Sequence, residues 1–528
     1  MTAAETPRDS NQAEQALPAL AQAARECGFA AYAVGGYVRD RLLALETADV
    51  DVVVTGAVRE IAERVGAQFR AAVVPLHEEQ PTIRLAFPDR SHIDLAGPRG
   101  QATPASLEPP GGRVGGQGSA PQVQASPGPE DVVADLRARD FTVNAMAVPV
   151  AAVVRPDWRQ HVIDPTCGLD DLDRRLVRAT GPAIWENDPV RLWRALRLAA
   201  QLGFELDHTA EAGLREHAAL AATVAPERIR DELFALLARA DAHLWLARAA
   251  ELGLLFGVLP QLAALQSLAQ GGYHHLDGWH HTLAVVEQIH ELGQKAPGLT
   301  ATHQKKLGKV LAKPVAGGRP RLALLKLAGL LHDVGKPAAR TEDDEGRVHF
   351  YGHEKVSAAM AQDAGRRLRL GRREVEYLQT VTGLHMHPAL LAQQEEISRR
   401  AAHRFFRKAG NHAPDILILA WADRLSARGP ATSPEHIERV ERSIRWLLGE
   451  WLEGGPLSHP QPPVGARAIM RRYGLEPGPE VGRALRVLSR RHAEQPFMDA
   501  DRAWGFLDRV VCRPAPKEVE LRSDDGDQ

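Results

Sequence analysis

The sequence predicts an α+β N-terminal region followed by a chain that is helical almost throughout. Three observations carry this. Between Ala33 and Val54 a Gly-Gly break, a helix opening and the β-branched run Val52-Val53-Val54 follow one another, and more strand-like runs come after. Beyond Gly181 the apolar spacing becomes helical. From residue 271 onward, His and Asp residues recur at the ends of successive helical segments.

At 528 residues the chain is long enough for about three or four domains. Its apolar content of 44% is that of a soluble globular protein. The formal net charge of -2 excludes a global field that draws nucleic acid, so RNA binding requires local basic patches. Cys27, Cys167 and Cys512 have neither metal-ligand spacing nor a disulfide framework, which predicts a reducing, cytoplasmic setting. No uninterrupted apolar run is long enough to span a bilayer, so no membrane association is expected. MTAAETPRDSNQAEQ lacks the apolar core of a signal peptide, and residues 1–24 are assigned to a disordered leader.

A short helix is expected over Ala13–Glu26. In AVGGYVRDRLLALETADVDVVV, Gly35 and Gly36 free the backbone to bring N–H groups to an anion at a helix N-terminus, and Val38–Leu45 opens that helix with Arg39 and Asp40 in its first turn. Asp49 and Asp51 are two apart at a strand start and share a face. Like charges so close cost free energy unless a cation lies between them. A Gly-Gly or an Asp-x-Asp alone is usually a turn or a solvated loop end. In this order, before a hydrophobic strand, they suggest a phosphate cradle beside a metal site, and hence nucleotidyl transfer.

Val58–Val65 reads as helix, and Ala71–Leu76, Thr82–Phe87 and Ser91–Leu95 as strands, the last placing Asp94 as a third carboxylate. Residues 97–130 are Gly/Pro-rich without periodicity and predict a flexible insertion. After a helical turn from Asp131, Phe141–Val148 reads as a buried element. Asp188 and Pro189 mark a helix start, with Asp188 as the cap, and Arg191, Arg194 and Arg197 recur along one side of that helix. Ala225–Ala240 and Leu244–Leu259 continue the helical pattern.

His280-His281-Thr282 opens a helix, His332-Asp333 ends the apolar helix LALLKLAGLLHDVGK, and His353, His385, His387 and Asp423 follow on separate segments. Any one of these is an ordinary surface or core residue. The ordered set suits one or two divalent metals with positions open for a water nucleophile. Between His281 and His332, QKAPGLTATHQKKLGKVLAKPVAGGRPR reads as a polar, solvated linker. A helix, a turn at Pro477-Gly478-Pro479 and a second helix carry Arg471, Arg472, Arg483, Arg486, Arg490 and Arg491, the clearest basic patch of the chain.

Together these stretches resemble the eubacterial class of CCA-adding tRNA nucleotidyltransferases and poly(A) polymerases, fused to an HD domain. GGYVRDRLL with ADVDVVV, RARDFTVNAMA, DPTCGLDDL, NDPVRLWRALRLA, ERIRDEL and PGPEVGRAL resemble successive motifs of that family. The resemblance implies an α+β nucleotidyltransferase head (residues 25–155) followed by a helical neck (156–265), an HD domain (266–453) and a helical RNA-binding C-terminal region (454–528). It implies Asp49 and Asp51 as Mg²⁺ ligands, with Asp94 as the third carboxylate. Gly35, Gly36, Arg39 and Asp40 would hold the triphosphate, and Arg139 and Asp140 would face ribose and phosphates. Asp188 and Arg191 would read the base, with Arg194 and Arg197 beside them. A carboxylate accepts from an exocyclic amine while a guanidinium donates to ring acceptors, a pattern that fits cytosine and adenine. His281, His332, Asp333 and Asp423 match an H…HD…D metal set, with His353 and His385 as further ligands or phosphate contacts and Mg, Mn, Ni or Fe as the metal.

Two motif positions depart from the family pattern, Ala138 in place of an Arg and Asn187 in place of a Glu. Neither is a metal-ligand or base-reading position. The implied activity is addition of C and/or A to a tRNA 3′ end from CTP and ATP, as CCA, CC or A alone. Poly(A) addition to general RNA, or HD-type hydrolysis of 2′- and 2′,3′-cyclic phosphates with the head binding RNA, are the alternatives. Monomer and dimer both stay open.

Overall fold

The computed structural model describes residues 11–77, 82–98, 128–271, 275–429, 433–497 and 499–511. The contacts gather the chain into two compact units, one of residues up to Arg228 with Glu251–Gly257, the other of Ile229–Ala250 with the chain from Val258 onward.

The first unit begins with α1 (Gln12–Glu26), β1 (Ala31–Val34), α2 (Gly36–Leu42), β2 (Asp49–Val54), α3 (Val58–Phe69), β3 (Ala72–His77), β4 (Thr82–Ala86) and β5 (His92–Ala96). After α4 (Pro129–Arg137), β6 (Ala147–Pro149) completes a six-stranded sheet of order β3-β4-β5-β2-β1-β6. Only β2 and β5 pair in parallel, while the other neighbours are antiparallel. The expected leader is partly corrected. From Gln12 on, residues 12–24 lie in α1, whose Ala13, Ala16, Leu17 and Leu20 are buried, with Asn11 capping the N-terminus through Glu14 N. That apolar stripe makes the segment part of the core. Residues 1–10 and most of the 97–130 insertion (99–127) lie outside the described residues.

The helical continuation has α5 (Val150–Val153), α6 (Gly168–Asp173), α7 (Ile184–Asn187), α8 (Val190–Leu202) and α9 (His208–Glu216), with β7 (Leu176–Val177) and β8 (Glu205–Leu206) as a small parallel pair. α10 (Pro226–Leu237), α11 (Ala242–Glu251) and α12 (Leu254–Val258) follow. The helical region expected over Leu244–Leu259 is divided between α11 and α12, with Gly253 at a left-handed φ of 80° between them. Asp188 is not the cap of α8. Pro189 holds that position, and the Asp188 carboxylate is engaged elsewhere.

In the second unit, α13 (Gly278–Gln294), α14 (Ala301–Ala312) and α15 (Arg321–Leu331) precede a short hairpin of β9 (Thr341–Glu342) and β10 (Val348–His349). The solvated linker expected before His332 contains α14. Thr300 caps it through His303 N, and Leu307 and Leu311, four apart, are buried. Then come α16 (His353–Arg367), α17 (Arg372–Leu384), α18 (His387–Leu391), α19 (Arg399–Ala409), α20 (Ala413–Ser426) and α21 (Pro434–Leu452). The chain closes with α22 (Ala466–Tyr473), α23 (Pro479–Glu494) and α24 (Ala500–Val511), packed through Ile469, Leu488, Ala503 and Leu507. Among the described residues, no helix is long and apolar enough to cross a membrane.

Candidate functional sites

The register of β2 against β5 builds the first site. Asp51 lies opposite Asp94 and Asp49 opposite His92, so residues from two strands form one row of carboxylates. Arg84 on β4 is the register partner of Asp94 and grips it with a two-pronged ion pair, Nε–Oδ1 and Nη2–Oδ2 both 2.8 Å. His92 Nδ1 lies 3.2 Å from Asp49 Oδ1. Asp49 and Asp51 are exposed at the strand surface, yet protein crowds Asp51. That crowding, then the like charges of Asp94 and Asp49, raises the Asp51 pKa against the opposing pull of Arg139.

Gly35 lies against this row. It has a left-handed φ of 70°, and a Cβ there would lie 2.8 Å from the Arg139 guanidinium and 3.4 Å from Asp51 Oδ2. Any other residue would displace one of them. The Arg39 guanidinium folds back toward Gly36. It is buried, donating from Nε to Asp40 Oδ1 (2.8 Å) and from Nη1 to Asn144 Oδ1 (2.6 Å). Arg39 and Asp40 thus brace the glycine loop, and this structure does not present Arg39 as an open guanidinium.

Arg139 Nε donates to buried Asp135 (3.1 Å). Asp140 accepts from Arg194 Nη1 (3.0 Å). Burial pushes the Asp140 pKa up, but Arg194 overcomes it and the net direction is down. Arg191 reaches toward the Ile184 carbonyl (3.5 Å) and Arg197 donates to Gln201 (2.9 Å), while Arg191 and Arg194 both act on the charges of Asp140 and Asp188. Both Asp188 oxygens accept from Arg228, from Nη1 and Nη2 at 2.8 Å each. Partial burial raises the Asp188 pKa, but Arg228, then Arg191 and Arg194, bring it below its ordinary value.

The second site gathers side chains from α13, the α15 C-terminus, α16, α17 and α20. His281 Nε2 lies 3.1 Å from Asp423 Oδ1, His332 Nε2 3.1 Å from Asp333 Oδ2, and His353 Nε2 3.1 Å from Asp333 Oδ1. His385 Nε2 is 3.9 Å from Asp333 Oδ1. The four histidines and Asp333 are buried. Three imidazoles are held alike, with Nδ1 of His332 on Gly329 O (2.7 Å), of His353 on Phe350 O (2.8 Å) and of His385 on Thr382 O (2.6 Å). A carbonyl only accepts, so Nδ1 carries a proton in each ring, and Asp333 beside the His332 Nε2 raises the pKa of that imidazole. The Nε2 atoms of His332 and His353 face the Asp333 carboxylate, while that of His385 is buried and makes no hydrogen bond.

Gly335 lets the loop after Asp333 approach α16. A Cβ there would meet His353 O and Ser357 N at 2.6 Å. His281, His332 and Asp423 form one group with metal-ligand proximity, and His332, Asp333 and His385 form another. His387 belongs to neither. Burial, helped by the charge of His332, pushes the His385 pKa down to about 3, which leaves it neutral and able to ligate at neutral pH. Burial alone would raise Asp333 and Asp423, but neighbouring histidines drive both down, Lys336 adding to the effect at Asp333. This donor set of imidazoles and carboxylates fits a divalent metal.

Arg84, His92, Arg228 and Lys336 escaped the sequence reading. The first three are long-range partners of residues already singled out. Lys336 stands three residues after Asp333, and its Nζ lies 2.5 Å from Asp333 Oδ2, a spacing that is a usable signal. In the C-terminal patch, Arg472 pairs with Asp508 (2.9 Å) and Arg491 donates to Gln495 O (2.9 Å), while Arg471, Arg483, Arg486 and Arg490 are exposed.

Residues 31–178 match the family described as the poly A polymerase head domain, residues 203–266 the probable RNA and SrmB-binding site of polymerase A, and residues 278–428 the HD domain. These matches define a nucleotidyltransferase head followed by a helical neck and an HD domain. The A-adding tRNA nucleotidyltransferase of Deinococcus radiodurans is 33% identical over 488 residues, covering 90% of this chain and 94% of that one. The CC-adding tRNA nucleotidyltransferase of Thermus thermophilus is 32% identical over 485 residues, covering 90% and 93%. A solved structure of the Thermotoga maritima CCA-adding enzyme complexed with tRNA shares the fold at a TM-score of 0.58 and 17% identity, covering 94% of this chain and 95% of that one. The chain belongs to the tRNA nucleotidyltransferase family and is an enzyme of that type. Nucleotidyltransferase heads and HD domains both use divalent metals.

Proposed function

We propose that this protein adds C and/or A to the 3′ end of tRNA from CTP and ATP, without a nucleic-acid template. The observation that carries the reading is the strand register that puts Asp49, Asp51 and Asp94 in one row, with Gly35 and Arg139 against Asp51. The RNA 3′-oxygen attacks the α-phosphorus, the bond to the bridging oxygen breaks, pyrophosphate leaves, and the hydroxyl proton passes to water. Asp49 and Asp51, with Asp94, would hold Mg²⁺, which supplies charge neutralisation for the attacking and leaving oxygens. Arg139 adds fixed positive charge beside Asp51. Asp188 accepts from the exocyclic amine of the base and Arg191 donates to its ring acceptors. Gly36, Arg39 and Asp40 keep the phosphate-facing loop in shape, and Asp140 with Arg194 ties the head to the α8 helix.

The proposed organisation is a head over 25–155, a neck over 156–265, an HD domain over 266–453 and an RNA-binding region from 454 on, in a cytoplasmic enzyme. Asp51→Ala should abolish nucleotide incorporation into tRNA ending before CCA and leave metal binding by the HD cluster intact. Near-normal incorporation by that variant would overturn the assignment. Product length in the same assay separates this reading from poly(A) addition, which continues with further A.

A second reading stands beside the first. The buried histidines with inward Nε2 atoms favour a metal-dependent phosphohydrolase in the HD unit, acting on 2′- and 2′,3′-cyclic phosphates. His281, His332, Asp333 and Asp423 would hold the divalent metal, with His353 and His385 available to a second ion or to phosphate.

A further inference from the structure

The hairpin that leads into His353 ends in an aromatic surface that neither activity has used. Tyr351 is 79% exposed, unusual for a large ring. Its ring stacks on His349, with centroids 5.1 Å apart and planes 11° from parallel. His349 is fixed in turn, because its Nε2 lies 2.8 Å from Asp343 Oδ2, so that nitrogen carries the proton. Asp343 also accepts from the backbone N–H of Arg347 (2.8 Å) and of Glu345 (3.1 Å), which ties the hairpin turn to the same carboxylate. The stack is therefore pre-organised. One face of Tyr351 is covered by imidazole and the ring as a whole stays open to solvent.

The same segment of chain leads into the metal-fitting cluster. Phe350, between His349 and Tyr351 in sequence, orients His353 through its carbonyl. The Phe350 ring lies 5.8 Å from Lys336 Nζ, and Lys336 pairs with Asp333. Tyr351 is two residues from His353, so their Cα atoms lie within about 7 Å. A single nucleotide, from phosphate to base, is long enough to bridge a separation of that order. Every base has a π-face, and stacking on an aromatic ring tolerates all of them.

We propose that the HD site takes a nucleotide or an RNA end, with the phosphate at the His/Asp cluster and the base stacked on Tyr351. The inference rests on the phosphohydrolase reading of that cluster, in which water adds to phosphorus and one ring P–O bond of the cyclic ester breaks, giving a monoester and a free hydroxyl. Tyr351 is a specificity residue, and it leaves the chemical step to the cluster.

The test uses the full chain loaded with Mn²⁺ or Ni²⁺ and two substrates, 2′,3′-cyclic AMP and glycerol 1,2-cyclic phosphate, which has no base. Tyr351→Ala should raise KM for cyclic AMP roughly tenfold, within the range of single-base stacking. It should leave kcat and glycerol cyclic phosphate hydrolysis unchanged, and Tyr351→Phe should behave as the parent. Equal losses on both substrates, or none on either, would overturn the platform. If the parent hydrolyses neither substrate, the hydrolytic reading fails by itself. Equilibrium binding of 2′-AMP to the metal-loaded protein then decides the platform. A tenfold weaker affinity in Tyr351→Ala supports it, and unchanged or undetectable binding by the parent overturns it.

Discussion

Asp49 and Asp51 lie open on a strand, whereas Asp333 lies 1% exposed among four buried histidines. In the head, like-charged carboxylates are tolerated because water reaches them and because Arg84, His92 and Arg139 stand close enough to offset them. In the HD unit water is excluded, so the charges must be balanced by the cluster's own members, and Lys336 and the imidazoles do that. The first arrangement makes the metal site nearly independent of folding. The second makes the metal site part of the core. Losing a carboxylate should therefore have unequal consequences for stability in the two places.

The largest expected effect breaks that contrast directly. Asp333→Ala leaves the buried Lys336 ammonium with only the neutral Gln270 Oε1 as acceptor and should cost about 3 kcal/mol of stability along with HD metal binding. Asp51→Asn should leave thermal unfolding nearly unchanged. Calorimetry of both variants, run with and without divalent metal, checks this. Equal destabilisation by the two would show that burial does not separate the sites.

An intermediate effect concerns Arg228, whose fork fixes the plane of the Asp188 carboxylate. Each oxygen gives one lone pair to the fork and keeps another for a base amine. Lysine keeps the charge and loses the fork. Arg228→Lys should lower kcat/KM for CTP about tenfold and erode the preference over UTP, with single-turnover chemistry at saturating CTP retained. Unchanged discrimination would confine Arg228 to a structural role.

How much of this was legible in the sequence depended on how local the cause was. The Gly-Gly break, the Asp-x-Asp before Val52-Val53-Val54 and the His-Asp pair closing an apolar helix are local, and the structure places each in the expected kind of element. The grip of Arg84 on Asp94 depends on antiparallel register across the β4–β5 turn, and that of Arg228 on Asp188 on helices 40 residues apart. No spacing rule reaches that far. α14 was hidden differently, because the lysines and glycines around it masked the two-residue stripe of Leu307 and Leu311. Asp188 as a helix cap was a local expectation that a distant arginine overrode.

The smallest expected effect probes the same cost of burial with a cation. Lys326 sits fully buried in α15, an apolar helix, and donates to the carbonyl of Arg239. Burial lowers its pKa from the ordinary 10.5 to about 8, against the opposing pull of Asp241. Between those values the unfolded chain binds more protons than the folded one, so unfolding free energy from this group rises with pH. The penalty is fully present below about pH 8 and is gone above about pH 10.5. Lys326→Met removes it, and loses the hydrogen bond to Arg239 at every pH. The melting temperature of the variant relative to the parent should therefore fall as pH rises from 8 to 9, by the equivalent of about 1 kcal/mol. The neutral amine still donates to Arg239, so the parent keeps that bond while shedding the charge. A difference that stays flat across this range would mean that Lys326 is neutral, or well solvated, already at pH 8, and that buried charge in the helical unit is less costly than the Asp333 cluster implies.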